Sequence, residues 1–497
     1  MAKFEGVILL NSNTASLQIV NLTSGKPIEN VSKEFTESDI NAPVFSSDIM
    51  NRALEQIQRF QQLIRDYGVT EVKLFGSETL SEMNNAVYFA DQLESVTGLQ
   101  INWLNGNQES YFRQLAFRQS QSGNESCMAD ENVLVLGMSS TRIDLGYFEH
   151  GYFKFSQHSS VGPVRLAKTI HEMSLEVTEE TALASEFINS KLADFWHMLP
   201  PFNRIDKLVL LGAETAQNVF LQDSKHWVNV EKQEVQTVID NLSFLNDQAV
   251  IEKYDVHLND VPFALTEMLL LMNVMTAVGV NNVQIGDLTV LDGLIVQGNR
   301  DENDIITAAR GIAERYMVEE NHCEIVLLYA NQLFDRLKRI HNLTKRDRLL
   351  LGVAALIHDV GSFINSQRHY QYSEEVISGI DLHGLSTSEQ HMIAMIARYH
   401  SAETPDSDLR STQDFSPKQR IRIAKLVSIL RLADALDDSR LQKIEKLSVS
   451  IGQKEIVVTA QTAANLQLEM FVFAKKANFF ENVFGLPIIL KRKGKRI

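Results

Sequence analysis

Short apolar runs broken by polar turns dominate the first part of the chain. Val7–Leu10 and Leu17–Val20 flank the polar segment Asn11–Thr14, which predicts two strands joined by a tight turn. Leu54, Ile57, Phe60, Leu63 and Ile64 then recur at helical spacing, with Gly68 as the stop. Val72–Phe75 reads as a short buried strand, and the next helix runs toward Gly98, so the segment is an α/β unit. The pattern returns at Val133–Leu136, followed by the turn Gly137–Thr141, the strand Ile143–Gly146 and, past Glu149-His150-Gly151, the strand Tyr152–Phe155. This repetition predicts an internal duplication. Leu208–Leu211 and Val283–Leu294 are expected as further strands, with a helix rich in Leu and Met between them.

From about Asp304 the period changes to that of amphipathic helices. Thr344 with Asp347 and Ser386 with Glu389 have capping-box spacing, and Ser416-Pro417 reads as an N-cap followed by proline at the first helical position. An all-α domain is expected here. After about Lys443, period-two segments at Leu447–Ile451 and Glu455–Val458 predict a small α+β domain.

Composition narrows the class. A chain of 497 residues exceeds one core and should hold roughly three or four domains. Its apolar runs, such as Met268–Met272 and Val353–Ile357, fall far short of the roughly 20 residues of a membrane span. The N-terminus lacks a long apolar signal segment. Cys127 and Cys323 are the only cysteines, which supports neither a disulfide framework nor a zinc knuckle, so a cytoplasmic protein is expected. Cys323 reads as a small buried apolar residue. The net charge of −16 disfavours binding to DNA. A polyanionic substrate would need a local basic channel or a bound metal. Lys491–Arg496 is the basic exception and reads as a frayed, solvated tail, or else as a contact for a polyanion or partner subunit.

The chemistry-bearing residues are His322, the doublet His358-Asp359 and Asp434, with His369 and His400 between doublet and last aspartate. Imidazole and carboxylate are the ligands a divalent metal needs to activate water against a phosphoester. Asp434 sits on the apolar stretch Leu430–Leu436, where a carboxylate is costly to bury unless paired or metal-bound. His383 and His391 lack partners at telling spacing and read as ordinary surface or core histidines.

The order of these parts resembles the exopolyphosphatase and guanosine pentaphosphate phosphatase (Ppx/GppA) family over nearly the whole chain. The likeness is carried by the two turns, Asn105-Gly106-Asn107-Gln108-Glu109, Asp292-Gly293-Leu294, Leu356-Ile357-His358-Asp359-Val360-Gly361 and Arg398-Tyr399-His400. It implies two actin-like, ribonuclease H-like α/β domains at 1–124 and 125–303, an all-α HD domain at 304–442 and a small α+β domain at 443–497. It also implies homodimerisation, inorganic polyphosphate or guanosine penta- or tetraphosphate as ligand, and magnesium in the inter-domain cleft.

Family turns reading Asp-Leu-Gly-Ser-Asn-Ser and Asp-Ile-Gly-Gly-Gly-Ser-Thr-Glu correspond here to Leu9-Leu10-Asn11-Ser12-Asn13-Thr14 and Val135-Leu136-Gly137-Met138-Ser139-Ser140-Thr141-Arg142. Leu9 and Val135 thus replace aspartates, Met138 and Ser139 replace glycines, and Arg142 reverses a glutamate's charge. By resemblance Glu109 is the general base. Ser12, Asn13, Ser139, Ser140, Thr141 and Arg142 are the phosphate-binding candidates. His322, His358, Asp359 and Asp434 match the pattern of HD phosphohydrolases, and His369 and His400 extend it toward a two-metal centre for manganese, iron or another divalent ion. Tyr370 and Tyr372 depart from the histidine-rich segment common in relatives. Three readings stay open: phosphohydrolase chemistry of the Ppx/GppA type, moved to the HD site where the cleft is degraded; a noncatalytic protein that senses a phosphorylated nucleotide or polyphosphate; and an α/β half that regulates the helical half.

Overall fold

The computed structural model describes residues 4–11, 14–24, 26–34, 44–69, 71–121, 130–172, 180–199, 201–221, 226–258, 260–296, 302–405 and 415–493. The chain forms two compact units, residues 1–300 and 301–497.

In the first unit, strands β1 (Phe4–Leu10), β2 (Thr14–Asn21), β3 (Lys26–Glu34), β4 (Glu71–Gly76) and β5 (Ile101–Trp103) form a sheet of order β3-β2-β1-β4-β5. A second sheet holds β6 (Asn132–Met138), β7 (Ile143–Glu149), β8 (Tyr152–Ser159), β9 (Lys207–Leu211), β10 (Trp227–Glu231) and β11 (Asn282–Gly286), ordered β10-β11-β9-β6-β7-β8. Both share one plan: an antiparallel meander whose first strand also pairs in parallel with the strand after a helical crossover. The repeated strand–turn–strand pattern therefore marks a structural duplication. The sheets carry separate cores, one around Ile8, Leu17, Ile57 and Phe60, the other around Leu134, Leu136, Leu210 and Met268.

The helix Ser47–Asp66 packs Leu54, Ile57, Phe60 and Ile64 onto the first sheet, and Ser46 caps it by accepting from the Ile49 amide at 3.3 Å. Of the stretch expected as strand, only β11 is one. Val290–Leu294 is a short helix, because Thr289 and Asp292 close a capping box at its start. Asp292 also accepts from Gln18 Nε2 at 2.8 Å. A Cβ on Gly293 would lie 1.8 Å from the Phe112 carbonyl oxygen, so the Asp-Gly-Leu motif works by capping and by backbone approach.

The second unit contains the helices Glu302–Arg315, Glu320–Arg336, Lys345–Ile357, His369–Gly379, Thr387–Arg398 and Pro417–Ala435. They are followed by a sheet of β12 (Lys446–Ile451), β13 (Ile456–Gln461) and β14 (Ile488–Lys493), with the helix Gln467–Phe484 between β13 and β14. The three caps predicted at Thr344, Ser386 and Ser416 all form. Lys345–Ile357 is buried from Leu349 onward, as its unbroken apolar run requires. Gly361 follows it because a Cβ there would stand 2.1 Å from the His369 carbonyl oxygen. The basic C-terminus is not simply a frayed tail. Lys491, Arg492 and Lys493 pair in parallel with Thr459, Ala460 and Gln461, and Arg492 donates to the Ala463 carbonyl at 2.7 Å. The rest of that segment lies outside the described residues.

No helix among the described residues is long and apolar enough to cross a membrane.

Candidate functional site

The first candidate is a cavity of about 210 Å³ in the α/β unit, lined by Leu9, Asn11, Glu109, Arg113, Ser139 and Ser140 together with Glu214, Asp260 and Glu267. The β6–β7 turn is fixed by the Ser139 amide donating to Arg142 O at 3.0 Å and by Ser140 O accepting from the Val164 amide at 3.0 Å. Leu9 is buried on the cavity wall. Val135 is buried within β6 opposite Gly146 and Val209, so neither position supplies a carboxylate. Ser12 and Asn13 lie outside the described residues.

Arg142, a candidate anion ligand, turns instead onto Glu78: its Nη1 donates to Glu78 Oε2 at 3.0 Å. Glu78 in turn accepts from the Gly106 amide at 2.7 Å, and its own amide donates to Glu109 Oε1 at 2.7 Å. Burial raises the Glu109 carboxyl above the ordinary carboxylate range, against the lowering influence of that amide and of Arg113. Arg113 is engaged by the buried Asp144, 2.8 Å away, whose other oxygen accepts from Ser110 at 2.7 Å. Burial also pushes Glu267 up to about 8, although the Ala216 amide donates to it at 2.8 Å. The cavity is thus acidic, and its one guanidinium is already paired. Among the described residues no three His, Cys, Asp or Glu ligand atoms converge there; the magnesium that the resemblance implied would rest on one or two of the lining carboxylates together with a phosphate ligand.

The second candidate lies in the helical unit, where the six predicted ligands do converge. His322, His358 and Asp359 form one group of neighbouring ligand atoms, and Asp359, His369 and His400 form another, so Asp359 is common to both. Asp434 completes the first: its Oδ1 lies 3.3 Å from His322 Nε2 and 3.9 Å from His358 Nε2. Asp359 Oδ1 lies 3.7, 3.5 and 3.5 Å from the Nε2 atoms of His358, His369 and His400.

Each imidazole is oriented by its other nitrogen. Nδ1 of His358 donates to Ala355 O at 2.8 Å, that of His400 to Ala397 O at 2.5 Å, that of His369 to Ser366 O at 3.1 Å, and that of His322 to Asp437 Oδ2 at 2.9 Å. All four Nε2 atoms therefore face the cluster, the tautomer a metal ligand needs. His358 Nε2 is buried without a hydrogen-bond partner, and His322 Nε2 faces Asp434 Oδ1. His369 Nε2 and His400 Nε2 face each other at 3.2 Å; with both Nδ1 atoms donating elsewhere, the facing lone pairs call for a proton or a cation between them. Burial pushes His358 down to about 4, so its ring is neutral at pH 7. Burial would also lower His322, but hydrogen bonds to Asp434 and Asp437 raise it to about 9. By these observations the donor set fits a divalent metal pair.

Sequence reasoning did not find Asp437, Arg440 or Lys476. Arg440 Nη2 donates to Asp359 Oδ2 at 2.5 Å and Lys476 Nζ to Asp434 Oδ2. Asp437 follows Asp434 at one helical turn, a spacing that signals it once Asp434 is suspected.

Residues 21–301 match the Ppx/GppA phosphatase family and residues 306–475 match Ppx/GppA phosphatase, domain III. The chain is 20% identical over 437 residues to a guanosine-5'-triphosphate,3'-diphosphate pyrophosphatase of Aeromonas hydrophila, covering 84% of this chain and 85% of the relative. It is 21% identical over 448 residues to the protein of that name from Vibrio atlanticus, covering 85% and 86%. The fold is similar to that of the PPX-GPPA enzyme of Aquifex aeolicus, with a TM-score of 0.51 and 16% identity over 60% of this chain and all of that one. With the two duplicated sheets falling within one match and the helical unit within the other, the chain belongs to the Ppx/GppA phosphatase family.

Proposed function

We propose that this chain is a metal-dependent phosphohydrolase whose chemistry is carried by the His/Asp cluster of an HD-type helical domain rather than by the α/β cavity. The observation that carries this reading is the set of four imidazoles whose Nδ1 atoms are fixed by acceptors and whose Nε2 atoms all face the inner oxygens of Asp359 and Asp434. His322, His358 and Asp434 would hold one divalent ion and His369 and His400 a second, with Asp359 shared. Such ions supply Lewis acidity at a phosphoryl oxygen and lower the pKa of water. The chain's own residues hold the ligands: Asp437 keeps the His322 proton on Nδ1, and Arg440 and Lys476 engage the outer oxygens of the two aspartates. Guanosine-5'-triphosphate,3'-diphosphate, the compound in the relatives' name, is the first substrate to assay, with inorganic polyphosphate beside it.

The α/β cavity favours ligand binding over hydrolysis, because Leu9 stands on its wall where a carboxylate is expected and Arg142 is held by Glu78. The test is metal content by mass spectrometry on protein purified without chelator or nickel, beside Asp359→Ala, followed by a phosphoester and nucleotide screen. One or two equivalents, lost in the variant together with turnover, are expected. No metal after manganese or iron is supplied would refute the assignment.

A further inference from the structure

Resting on that metal-site reading, we infer that Arg440 and Lys476 form an anion clamp that selects a dianionic terminal phosphoryl group over a phosphodiester. The argument is one of charge. Among the described residues Asp359, Asp434 and Asp437 face the cluster, with Asp438 beside Asp434 and Glu319 on Arg440. Three cations stand near them. Arg440 lies on Asp359 Oδ2 and Lys476 on Asp434 Oδ2, while Arg431, one turn from Asp434 on the same helix, is buried and donates to the carbonyls of Tyr399, Ser401 and Glu403. Both ligand aspartates therefore already hold a cation on the outer oxygen. A metal adds positive charge beside these cations, and an anion from outside offsets part of it, because uncompensated charge is costly in so buried a cluster. A terminal phosphate carries about −1.5 to −2 at pH 7, which a singly charged diester does not match.

The geometry agrees. Arg440 and Lys476 each take the outer oxygen of an aspartate and leave Oδ1 toward the imidazoles, so neither stands in the metal's place. Arg440 uses one donor on Asp359 and one on Glu319 at 3.3 Å, and Lys476 uses one on Asp434; a guanidinium carries five N–H donors and an ammonium three, so both retain donors for a phosphate. Arg440 is 45% exposed and so reaches the solvent side. Its backbone is held in the left-handed region at φ 56°, with Gln442 at φ 45°, a conformation unfavourable for both residues. Asp437 fixes this loop, its backbone carbonyl accepting from the Arg440 amide at 2.8 Å and its Oδ1 from the Gln442 amide at 2.7 Å. The carboxylate that orients His322 thus also places the arginine.

The experiment uses the full chain loaded with Mn²⁺ and titrates inorganic phosphate and dimethyl phosphate by calorimetry into wild type, Arg440→Gln, Arg440→Lys and Lys476→Gln, with bound manganese measured in parallel. Phosphate is expected to bind at least about tenfold more tightly than dimethyl phosphate. Arg440→Gln and Lys476→Gln should each weaken phosphate by about ten- to hundredfold, the loss of one charge-assisted hydrogen bond, with manganese content unchanged and Arg440→Lys partly restoring affinity. Manganese retained with phosphate affinity unaffected would overturn the clamp alone. Tighter manganese binding in the variants would overturn it too, by making the two cations internal substitutes for metal. No manganese uptake by wild type would overturn the metal-site reading and the clamp with it. Arg440 lies on an exposed loop, so its variants keep the test decisive even if Lys476→Gln does not fold.

Discussion

Replacing Glu267 by glutamine should remove its own share of the alkaline destabilisation of the α/β unit, to which the raised carboxyls of Glu214, Asp260 and Glu109 also contribute. Glu267 is 7% exposed, and burial holds its carboxyl protonated up to about 8, against an ordinary value of 4.5. Between those two values the folded chain keeps a proton that the unfolded chain has released, so stability falls as pH rises. The contribution is fully present below about pH 4.5 and is lost as pH climbs through about 8. At about 1.36 kcal/mol per pK unit the whole interval amounts to about 5 kcal/mol. In Glu267→Gln the new carboxamide oxygen would still accept from the Ala216 amide, so the variant should match wild type near pH 5 and exceed it by up to about 5 kcal/mol at pH 9. The three tryptophans, Trp103, Trp196 and Trp227, all lie within residues 1–300, so their fluorescence reports urea unfolding of this unit. With an m-value of about 3 kcal/mol/M, the midpoint difference should open from near zero at pH 5 to roughly 1–2 M at pH 9. A constant offset across that range, or a variant less stable at pH 9, would refute the reasoning.

Arg113→Met leaves Asp144 buried beside Ser110 alone and should destabilise the same unit by about 3–5 kcal/mol in urea unfolding; a loss below about 1 kcal/mol would mean that the pair is dispensable. Gly293→Ala drives a methyl into the Phe112 carbonyl and should cost about 1–3 kcal/mol by the same fluorescence assay, with an unchanged midpoint as the contrary result. Asp437→Asn removes the carboxylate partner of His322 and should weaken manganese affinity by about 10–100-fold in competition with a chelating dye, while a variant with wild-type affinity would exclude that role.

What is legible in the sequence follows from the range of the interactions. The duplicated strand–turn–strand units announce themselves because alternation and turn chemistry act over a few residues, and the three helix caps are visible for the same reason. Val290–Leu294 is ambiguous because so short an apolar run fits either period, and only the capping box of Thr289 and Asp292 decides for helix. The six metal-ligand candidates are visible as residue types, but not the groups that orient them: Asp437 reaches His322 across 115 residues and Arg440 reaches Asp359 across 81. Nor does the sequence separate a working cluster from an inherited one, and here the geometry is informative. Residues retained only for folding would be expected to satisfy their buried polar atoms, since each left unpaired costs about 1–3 kcal/mol. His358 Nε2 is left unpaired, and His369 and His400 are brought nitrogen to nitrogen, while the Nδ1 atoms of all four histidines are satisfied. Either a bound cation or a shared proton would meet the demand at these inner atoms, and metal analysis of wild type beside Asp359→Ala separates the two.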